Sequence, residues 1–285
     1  HVVRKGTELP TADAPAAERT GYTFKFWSRE GQNGDVTGQT VNGWTNLYAN
    51  WEKTEYTISY DLRDGKAENS SENPTTYTVE DAIELKAPTT KRDNKFLEWR
   101  DEDDNVVTEI KKGTTGNIKL YAYWKCPIKL YEVTDTGEKV QLGETIYLPE
   151  GTTYPLPEGT EYAKIGYSFN CWFASEKDLN AEKNRKSEVT TSVEKEWKLY
   201  GKNVPIEYTI TYDYRDKDVT EKTWLQPANK TGYTVETETF RINPVTEKGE
   251  FGKVFLEWRD EDGKVVTEIK KGTTGNITLY AYWKY

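Results

Sequence analysis

Residues 255–284 read FLEWRDEDGKVVTEIKKGTTGNITLYAYWK, and residues 96–125 carry nearly the same string, FLEWRDEDDNVVTEIKKGTTGNIKLYAYWK. A catalytic site is normally needed once per domain, whereas a structural module can be repeated as often as reach or avidity requires. An internal repeat of this size therefore has to be interpreted before any single motif.

Weaker copies of this string occur elsewhere in the chain. The ending LYAYWK at 120–125 and 279–284 corresponds to LYANWE at 47–52 and to LYGKN at 199–203, and an aromatic cluster precedes each ending. Four endings predict four repeats, numbered 1 to 4 below: residues 1–52, 53–125, 126–204 and 205–285. Repeat 3 is the divergent copy, since its ending lacks the terminal Trp. Repeat 1 lacks the opening strand of the others, and we therefore expect the chain to be an excerpt from a longer protein.

Alternation of polar and apolar residues predicts the strands. YTISYD at 56–61 and YTITYD at 208–213 alternate β-branched or aromatic residues with polar ones, as half-buried strands do. The helix that the pattern suggests is short, TVEDAIEL at 78–85, and its last residues suit a strand equally well. The predicted fold class is β-rich α+β, with small tandem modules joined almost without linkers into an elongated array.

A hairpin is predicted inside the repeated string. The pair Asp262-Gly263 lies between two alternating segments, and Gly supplies the positive φ that a type I′ turn requires. In repeat 2 the predicted turn is Asp104-Asn105, because Asn also tolerates positive φ. The segment KKGTTGN, which follows in both copies, is expected to be the loop before the last strand.

The last strand of each repeat has an inward and an outward face. Side chains alternate between the faces of a strand, so Leu120, Ala122 and Trp124 share one face. Position 120 is Leu and position 122 is Ala or Gly in every repeat, which indicates the core. Position 123 varies among Asn, Tyr and Lys, which indicates an outward position because an unpaired buried polar group is costly. The outward tyrosines of repeats 2 and 4 are Tyr121, Tyr123, Tyr280 and Tyr282.

These segments resemble a known family. GYTFKFW at 21–27, YTISYD at 56–61 and GNITLYAYW at 275–283 are similar to the Listeria–Bacteroides repeat, also called the internalin B-type repeat. The resemblance covers essentially the whole chain and is weakest in repeat 3. The Gly that the family has before its central Trp is replaced here by Phe26, Glu98, Cys171 and Glu257.

The resemblance implies a compact β-grasp-like module that occurs in tandem in large bacterial surface proteins, often adhesins or internalin-like proteins. It carries over no catalytic residue, because the family has none. On this basis we expect the chain to be secreted and to lie outside the cell, at the bacterial cell surface.

Composition argues against several classes of function. The net charge of −9 at pH 7 argues against a nucleic-acid partner, which would require a clustered basic excess. No apolar run approaches the roughly 18 residues that span a bilayer, so no membrane insertion is expected within this fragment. We expect a monomer with a solvated acidic surface.

The chain offers little catalytic chemistry. Its one histidine is His1, so no histidine-based triad is expected inside the fold. Nothing singles out two of the 48 Asp and Glu residues as a glycosidase pair. The acidic turns at 101–105 and 260–264 lack the spacing of a calcium loop. No enzyme activity, cofactor or metal is therefore expected, and the sequence locates no Lys–Asn isopeptide crosslink.

Two further pairs of residues leave alternatives open. Cys126 and Cys171 form either one disulfide or two unpaired thiols, because their separation in sequence does not give the Cα distance that a bridge requires. Trp44 and Trp224 do not recur at equivalent positions of other repeats. They join the outward tyrosines as candidate ligand contacts, with packing at a repeat boundary as the alternative.

The sequence predicts a non-enzymatic stalk or spacer region of a bacterial adhesin-like surface protein, which projects binding domains or presents them in several copies. Linked sites gain avidity without better individual contacts. One alternative is that the repeats bind a host glycan or protein directly through exposed aromatic residues. Another is an accessory region of a secreted polysaccharide-degrading enzyme. The expected partners are a host cell-surface protein or glycan and the neighbouring repeats.

Overall fold

The computed structural model describes residues 2–3, 5–6, 18–31, 34–36, 38–40, 42–215, 228–246 and 248–285. Strands dominate these residues, which confirms the β-rich class. Through repeat 2 and into repeat 3 the strands are β1 (Val2–Val3), β2 (Tyr22–Arg29), β3 (Thr45–Lys53), β4 (Tyr56–Asp61), β5 (Ala67–Glu68), β6 (Thr76–Tyr77), β7 (Ile83–Glu84), β8 (Thr89–Thr90), β9 (Lys95–Arg100), β10 (Glu109–Ile110) and β11 (Ile118–Val133).

The remaining elements belong to repeats 3 and 4. The strands are β12 (Lys139–Gln141), β13 (Ile146–Pro149), β14 (Thr153–Pro155), β15 (Tyr167–Phe173), β16 (Glu188–Thr190), β17 (Trp197–Pro205), β18 (Tyr208–Asp213), β19 (Gly232–Tyr233), β20 (Phe240–Arg241), β21 (Val254–Arg259), β22 (Glu268–Ile269) and β23 (Ile277–Lys284). Helix α1 covers Glu176–Ala181, and 3-10 turns occur at Gly159–Tyr162 and Glu250–Gly252.

The chain divides into two compact units. The first combines His1–Pro127 with Ile146–Thr152 and Thr190–Glu196. The second combines Ile128–Thr145, Thr153–Val189 and Trp197–Tyr285. The predicted boundaries of the four repeats, near residues 52, 125 and 204, stay a prediction.

The first and last strands of a repeat lie side by side and run parallel. In the first unit β4 pairs with β11, with Ile58 opposite Ile118, and β9 pairs antiparallel with the other edge of β11. In the second unit β18, β23 and β21 are arranged in the same way. A parallel pair cannot be closed by a tight hairpin and needs a crossover, so the short strands of each repeat lie in the connection between its first and last strands.

Repeats 1 and 3 share the antiparallel part of this arrangement. In repeat 1, β2 pairs with β3, and Trp27 lies opposite Ala49. In repeat 3, β15 pairs with β17, while the end of β11 runs parallel to β17 with Leu130 opposite Leu199. The strand that carries the aromatic cluster is therefore always the neighbour of the strand that ends the repeat.

The cores of repeats 2 and 4 use the same positions. In repeat 2 these are Ile58, Tyr77, Trp99, Ile110, Leu120 and Ala122. In repeat 4 they are Ile210, Tyr233, Trp258, Ile269, Leu279 and Ala281. The burial of Leu120, Ala122 and Trp124 confirms the predicted inward face of the last strand.

The hairpin turn differs from the predicted type I′ turn. Gly263 lies in the left-handed region with φ +76, whereas Asp262 does not, and Gly263 donates its N–H to the carbonyl of Asp260 over 3.0 Å. This is the geometry of a type I turn followed by one left-handed residue, so the type I′ prediction is wrong. In repeat 2 the left-handed residue is Asp104, with φ 65, rather than Asn105.

The prediction of a short helix at 78–85 is also wrong. The backbone N–H and the hydroxyl of Thr78 both donate to Oδ2 of Asp81, over 2.7 and 2.8 Å, which closes a turn. The chain then continues into β7, which pairs with β10, so the alternative of a strand at the last residues of this segment is confirmed. The helix that does form, α1, begins after Ser175, whose Oγ accepts the backbone N–H of Asp178 over 3.1 Å. Its signal in the sequence is the Ser-x-x-Asp capping pattern.

Cys126 and Cys171 are free thiols, so the structure has the unpaired alternative and not the disulfide. Cys126 is fully buried. Burial, with smaller contributions from Glu150 and Asp64, raises the pKa of its thiol to about 11. The thiol therefore stays protonated at neutral pH and behaves as a small apolar core residue.

Replacing Leu279 by Ala is expected to lower the free energy of unfolding by about 2–5 kcal/mol, because the side chain is 0% exposed and its removal leaves a cavity. The same substitution at Leu256, which is 49% exposed in the neighbouring strand β21, is the matched control and is expected to cost less than about 1 kcal/mol. Urea unfolding followed by tryptophan fluorescence compares the two variants. Equal losses would contradict the assignment of the inward face.

Candidate functional site

Tyr123 lies in a cluster of charged side chains on the outward face of β11. The guanidinium carbons of Arg63 and Arg100 lie 4.5 and 4.6 Å from the centroid of its ring. Its hydroxyl donates to Oδ1 of Asp104 over 2.9 Å, and Nη1 of Arg100 donates to Oδ2 of the same carboxylate over 2.9 Å. Arg100 also forms an ion pair with Glu98. The ring is therefore half-buried among charged groups.

The pKa values in this cluster shift in the directions that favour its hydrogen bonds. The hydrogen bond from Tyr123, followed by the one from Arg100, lowers the pKa of Asp104. The bond to Asp104 raises the pKa of the Tyr123 hydroxyl, and bonds to Glu98 and then Asp104 raise the pKa of Arg100. The carboxylate is ionised and the phenol protonated at neutral pH, so the Tyr123 hydroxyl donates to a charged acceptor.

Repeat 4 has the same arrangement with one change. The guanidinium carbons of Arg259 and Arg215 lie 4.6 and 5.3 Å from the ring centroid of Tyr282. Gly263 occupies the position that Asp104 has in repeat 2, so this turn position carries no carboxylate. The Tyr282 hydroxyl instead accepts a hydrogen bond from Nη1 of Arg215 over 3.3 Å. The two nearly identical sequence segments therefore place different charged groups around the equivalent tyrosines, Tyr123 and Tyr282.

Tyr121 and Tyr280 also have a cation close to the ring. Nζ of Lys119 lies 4.8 Å from the ring centroid of Tyr121, and the guanidinium carbon of Arg215 lies 4.2 Å from that of Tyr280. All four outward tyrosines are half-buried. A planar ligand that stacked on one of these rings would compete with the cation for the ring face.

Trp44 is separate from these clusters in the sequence and is 71% exposed, just before β3. Its exposure fits the prediction of an accessible side chain. Trp224 lies outside the described residues. The structure therefore places the candidate contacts in repeat 1, on the last strand of repeat 2 and on the last strand of repeat 4, and their role in binding stays a prediction.

A contact between repeats 1 and 2 depends on a glycine. Gly21 has φ +76, and a Cβ on it would lie 1.8 Å from Cγ1 of Val79. The adjacent Tyr22 donates its hydroxyl to Oε1 of Glu80 over 2.6 Å, and Lys53 forms an ion pair with the same carboxylate. The methyl group of the valine thus occupies the space that any larger residue at position 21 would need.

The same contact occurs between repeats 3 and 4. Gly166 has φ +80, and a Cβ on it would lie 2.0 Å from Cγ1 of Val235. Tyr167 donates its hydroxyl to Oε1 of Glu236 over 2.9 Å. We call this pair of contacts the Gly–Tyr/Val–Glu joint.

Reasoning from the sequence missed this joint, although a signal was present. In the joint, the dipeptide GY at 21–22 and 166–167 meets the tripeptide TVE at 78–80 and 234–236, and GY also occurs at 232–233. Each motif reads as an ordinary strand or turn segment within its own repeat. Only the fold shows that one motif packs against the other.

The part of repeat 3 that belongs to the first compact unit contacts repeat 2 through charged and polar groups instead. Nε of Arg92 donates to Oδ1 of Asp64 over 2.9 Å, and Arg92 also forms an ion pair with Glu194. Nδ2 of Asn94 donates to the carbonyl of Val193 over 2.9 Å. The side chain of Asp64 is fully buried, so this contact contains a buried, paired carboxylate.

Hydrogen bonds determine the charge state of Asp64. Burial by itself would raise the pKa of this carboxyl, but the hydrogen bonds that it accepts outweigh burial and lower the pKa. The donors are Thr90, the backbone N–H of Lys66, Asn94 and Arg92. The group is therefore a carboxylate at neutral pH, and its charge belongs to the folded structure.

The acidic turn in repeat 2 is a hydrogen-bonded turn. Oδ1 of Asp101 accepts the backbone N–H groups of Asp103 and Asn105 over 3.0 and 2.9 Å. Among the described residues, no group of three or more His, Cys, Asp or Glu side chains is placed to hold a metal ion. In the same part of the chain, no helix has the length and apolar character needed to cross a membrane.

The same strand pairing in repeats 2 and 4, and a joint that recurs between repeats 1 and 2 and between repeats 3 and 4, are features of a tandem-repeat β protein. Residues 56–123 match the family model of the Listeria-Bacteroides repeat domain. The resemblance predicted from the sequence is therefore confirmed for this segment, which is nearly all of repeat 2.

Two similar proteins come from Evansella cellulosilytica. One, named "Putative membrane protein", is 26% identical over 287 residues, which cover 93% of this chain and 39% of the relative. Another, named "Putative Gly-rich membrane protein", is 26% identical over 307 residues, which cover 98% of this chain and 32% of the relative. The chain thus spans less than half the length of either relative.

Gly166→Ala is expected to destabilise the protein more than Gly252→Ala. Both glycines have φ near +80, at +80 and +77, so both substitutions carry the left-handed penalty of about 1–2 kcal/mol. A Cβ at 166 meets Val235, whereas a Cβ at 252 has no atom of the described residues within 4 Å beyond its chain neighbours, and overpacking adds about 1–3 kcal/mol at 166 only. Chemical denaturation gives the difference. Val235→Ala should relieve Gly166→Ala in the double variant, and an additive double variant would contradict the joint.

Asp64→Asn is expected to make the free energy of unfolding depend less steeply on pH in the acid range. A carboxylate with a lowered folded pKa stabilises the protein above its unfolded pKa, about 3.9, and this contribution is lost as the pH falls through the folded value. The unchanged protein should therefore lose unfolding free energy more steeply than the variant below about pH 4. Urea unfolding at a series of pH values from 7 to 2 measures this, and parallel curves would contradict it.

Proposed function

We propose that this chain is a non-enzymatic spacer region of a bacterial adhesin-like surface protein, in which tandem β-grasp-like modules form an elongated array. The observation that carries this proposal is the recurrence of the Gly–Tyr/Val–Glu joint. In this joint a valine methyl group occupies the space beside a glycine that a side chain would otherwise fill. Such close packing leaves little free space, so it restricts the angle between neighbouring repeats. A glycine- and serine-rich linker of equal length would leave that angle free.

The strand pairing supports the β-grasp-like description of the modules. In repeats 2 and 4 the first strand lies parallel to the last, and the antiparallel aromatic strand lies on the other side of the last strand. In such a module, the N-terminal end begins the first strand and the C-terminal end finishes the last strand, and these two strands are hydrogen-bonded to each other. Force applied to the ends would then act on a continuous backbone ladder instead of on a loop.

The relatives support an association with the cell envelope. Both carry names that call them membrane proteins, and both are far longer than this chain. A long envelope protein with tandem modules could hold a binding domain away from the cell or present several weak sites together, and linked sites gain avidity through effective concentration. We propose that this region lies outside the cell.

Small-angle scattering of the purified chain tests the spacer role. A compact protein of this length has a radius of gyration of about 19 Å. The spacer proposal predicts a clearly larger value and a long maximum dimension, unchanged by Trp44→Ala. A radius of gyration near the compact value would contradict an elongated array, and hydrolysis of any glycan or peptide by the chain would contradict a non-enzymatic role.

The exposure of Trp44 favours a second candidate function, direct binding of a host glycan or protein. An indole that is 71% exposed offers a large amphipathic contact surface at low entropic cost. Binding of the chain to immobilised matrix proteins and to a glycan panel would be compared with that of Trp44→Ala. Tyr285→Ala is the control, because Tyr285 is an even more accessible aromatic residue, 92% exposed, outside the candidate set. A saturable signal that only Trp44→Ala abolishes would favour binding, and its persistence would exclude Trp44 as the contact.

A further inference from the structure

Repeat 3 has a polar residue where repeats 2 and 4 have an indole. Trp124 and Trp283 each donate their Nε1–H, over 2.8 Å, to a backbone carbonyl that follows the first strand of the repeat. The acceptors are Leu62 and Tyr214. The equivalent residue of repeat 3 is Asn203, which is 8% exposed.

The partner of Asn203 has changed as well. By the register of the parallel strands, Glu132 occupies the position that Leu62 has in repeat 2, and it is 8% exposed. Its Oε1 accepts hydrogen bonds from Nδ2 of Asn203 over 3.0 Å and from Nζ of Lys164 over 2.5 Å. A buried carboxylate is costly unless it is paired, so the polar residues at 132 and 203 require a common explanation.

Both the oxygen and the nitrogen of the Asn203 carboxamide form hydrogen bonds. Its Oδ1 accepts the backbone N–H of Lys164 over 3.0 Å. Its Nδ2 donates to Glu132 and also to the carbonyl of Tyr162, over 3.3 Å. Asn203, Lys164 and Glu132 line a cavity of about 90 Å³. An amine, a carboxylate and a carboxamide therefore meet at a single carboxylate oxygen.

Hydrogen bonds determine the charge state of Glu132. Burial by itself would raise the pKa of this carboxyl, but the hydrogen bonds from Lys164 and then from Asn203 lower it. The carboxylate is therefore ionised at neutral pH and can accept a proton. The side chain of Lys164 is 57% exposed, so a small product formed beside it can leave to solvent.

We propose that Lys164 and Asn203 react to form an intramolecular isopeptide bond, with Glu132 as the group that moves the protons. Nζ, once deprotonated by the carboxylate, attacks Cγ of Asn203. The charge that develops on Oδ1 is stabilised by the backbone N–H of Lys164, which already points at that atom. The Cγ–Nδ2 bond then breaks, and the amide between Nζ and Cγ remains.

The reaction balances without an oxidant or a cofactor. Of the three protons on the Lys164 ammonium, one stays on the new amide. The other two pass through Glu132 to Nδ2, which leaves as ammonium, and the carboxylate is regenerated. The product ties the segment before β15 to Asn203 near the end of β17, in the repeat that lacks the terminal Trp. This inference does not depend on the spacer role.

The intact mass of the purified chain tests the bond. The crosslink lowers the mass by about 17 Da, the mass of one ammonia. Tryptic digestion should join the peptides that contain Lys164 and Asn203, with no cleavage after Lys164.

Four variants test the role of each residue in the proposed reaction. Lys164→Arg keeps the ion pair with Glu132 but removes the nucleophile, and Glu132→Gln removes the proton acceptor, so both should retain the full mass. Asn203→Asp should lose about 18 Da, one water, in place of ammonia. Lys202→Arg, next to the site, is the control and should still lose ammonia.

Two results would overturn the proposal. One is a chain that keeps its full mass after prolonged incubation at pH 7 and pH 9, because the triad would then be an ion-pair network only. The other is a loss of about 17 Da that persists in Lys164→Arg, since cyclisation of an asparagine to a succinimide loses the same mass without any lysine. Far-ultraviolet circular dichroism of each variant separates a failure to react from a failure to fold.

Discussion

The architecture of every repeat depends on an aromatic ring that packs over a very small residue in the neighbouring strand. Ala122 lies opposite Trp99, and Ala281 lies opposite Trp258. In repeat 3 the small residue is Gly201, where a Cβ would lie 2.4 Å from the ring of Phe169. A larger side chain there would push the aromatic strand away from the last strand and open the core on both sides of it.

This close approach explains why the residue opposite the ring is Ala or Gly in every repeat, whereas position 123 of the last strand varies among Asn, Tyr and Lys. The inward residues are constrained by the ring opposite and by the parallel strand beside them. On the outward face, repeats 2 and 4 differ at the turn position of Asp104 and Gly263, and this difference rearranges the hydrogen bonds around Tyr123 and Tyr282 while the strand pairing stays the same. Duplication therefore preserves the module while its surface diverges.

Repeat 3 shows that the inward face also tolerates a change when the change is concerted. Asn203 replaces the terminal Trp, and a buried carboxylate and an amine come with it. A single polar substitution at that position would leave an unpaired group in the core. Three groups that satisfy one another avoid this cost, and they also bring a nucleophile and an electrophile together.

Part of the fold could be predicted because the information is local. Period-two alternation located β4 and β18, and comparison of four copies identified the inward residues of the last strand. The turn type was wrong because a single left-handed residue after a type I turn and a type I′ turn both favour Gly. The helix was misplaced because Asp81 bonds back to Thr78 and closes a turn that the local pattern does not distinguish from a first helical turn.

The candidate sites, like the fold, combine features that neighbouring residues determine with contacts between residues far apart in the chain. The sequence by itself determined the repeats, the β-rich class and the alternation of core and surface along the last strand, because these follow from the spacing of neighbouring residues. Only the tertiary structure decided which distant side chains meet. Gly21 and Val79 lie 58 residues apart in the chain, as do Tyr22 and Glu80, and Glu132 and Asn203 lie 71 apart. No local pattern encodes such a pair, because the contact depends on how whole repeats pack and on the register of their strands.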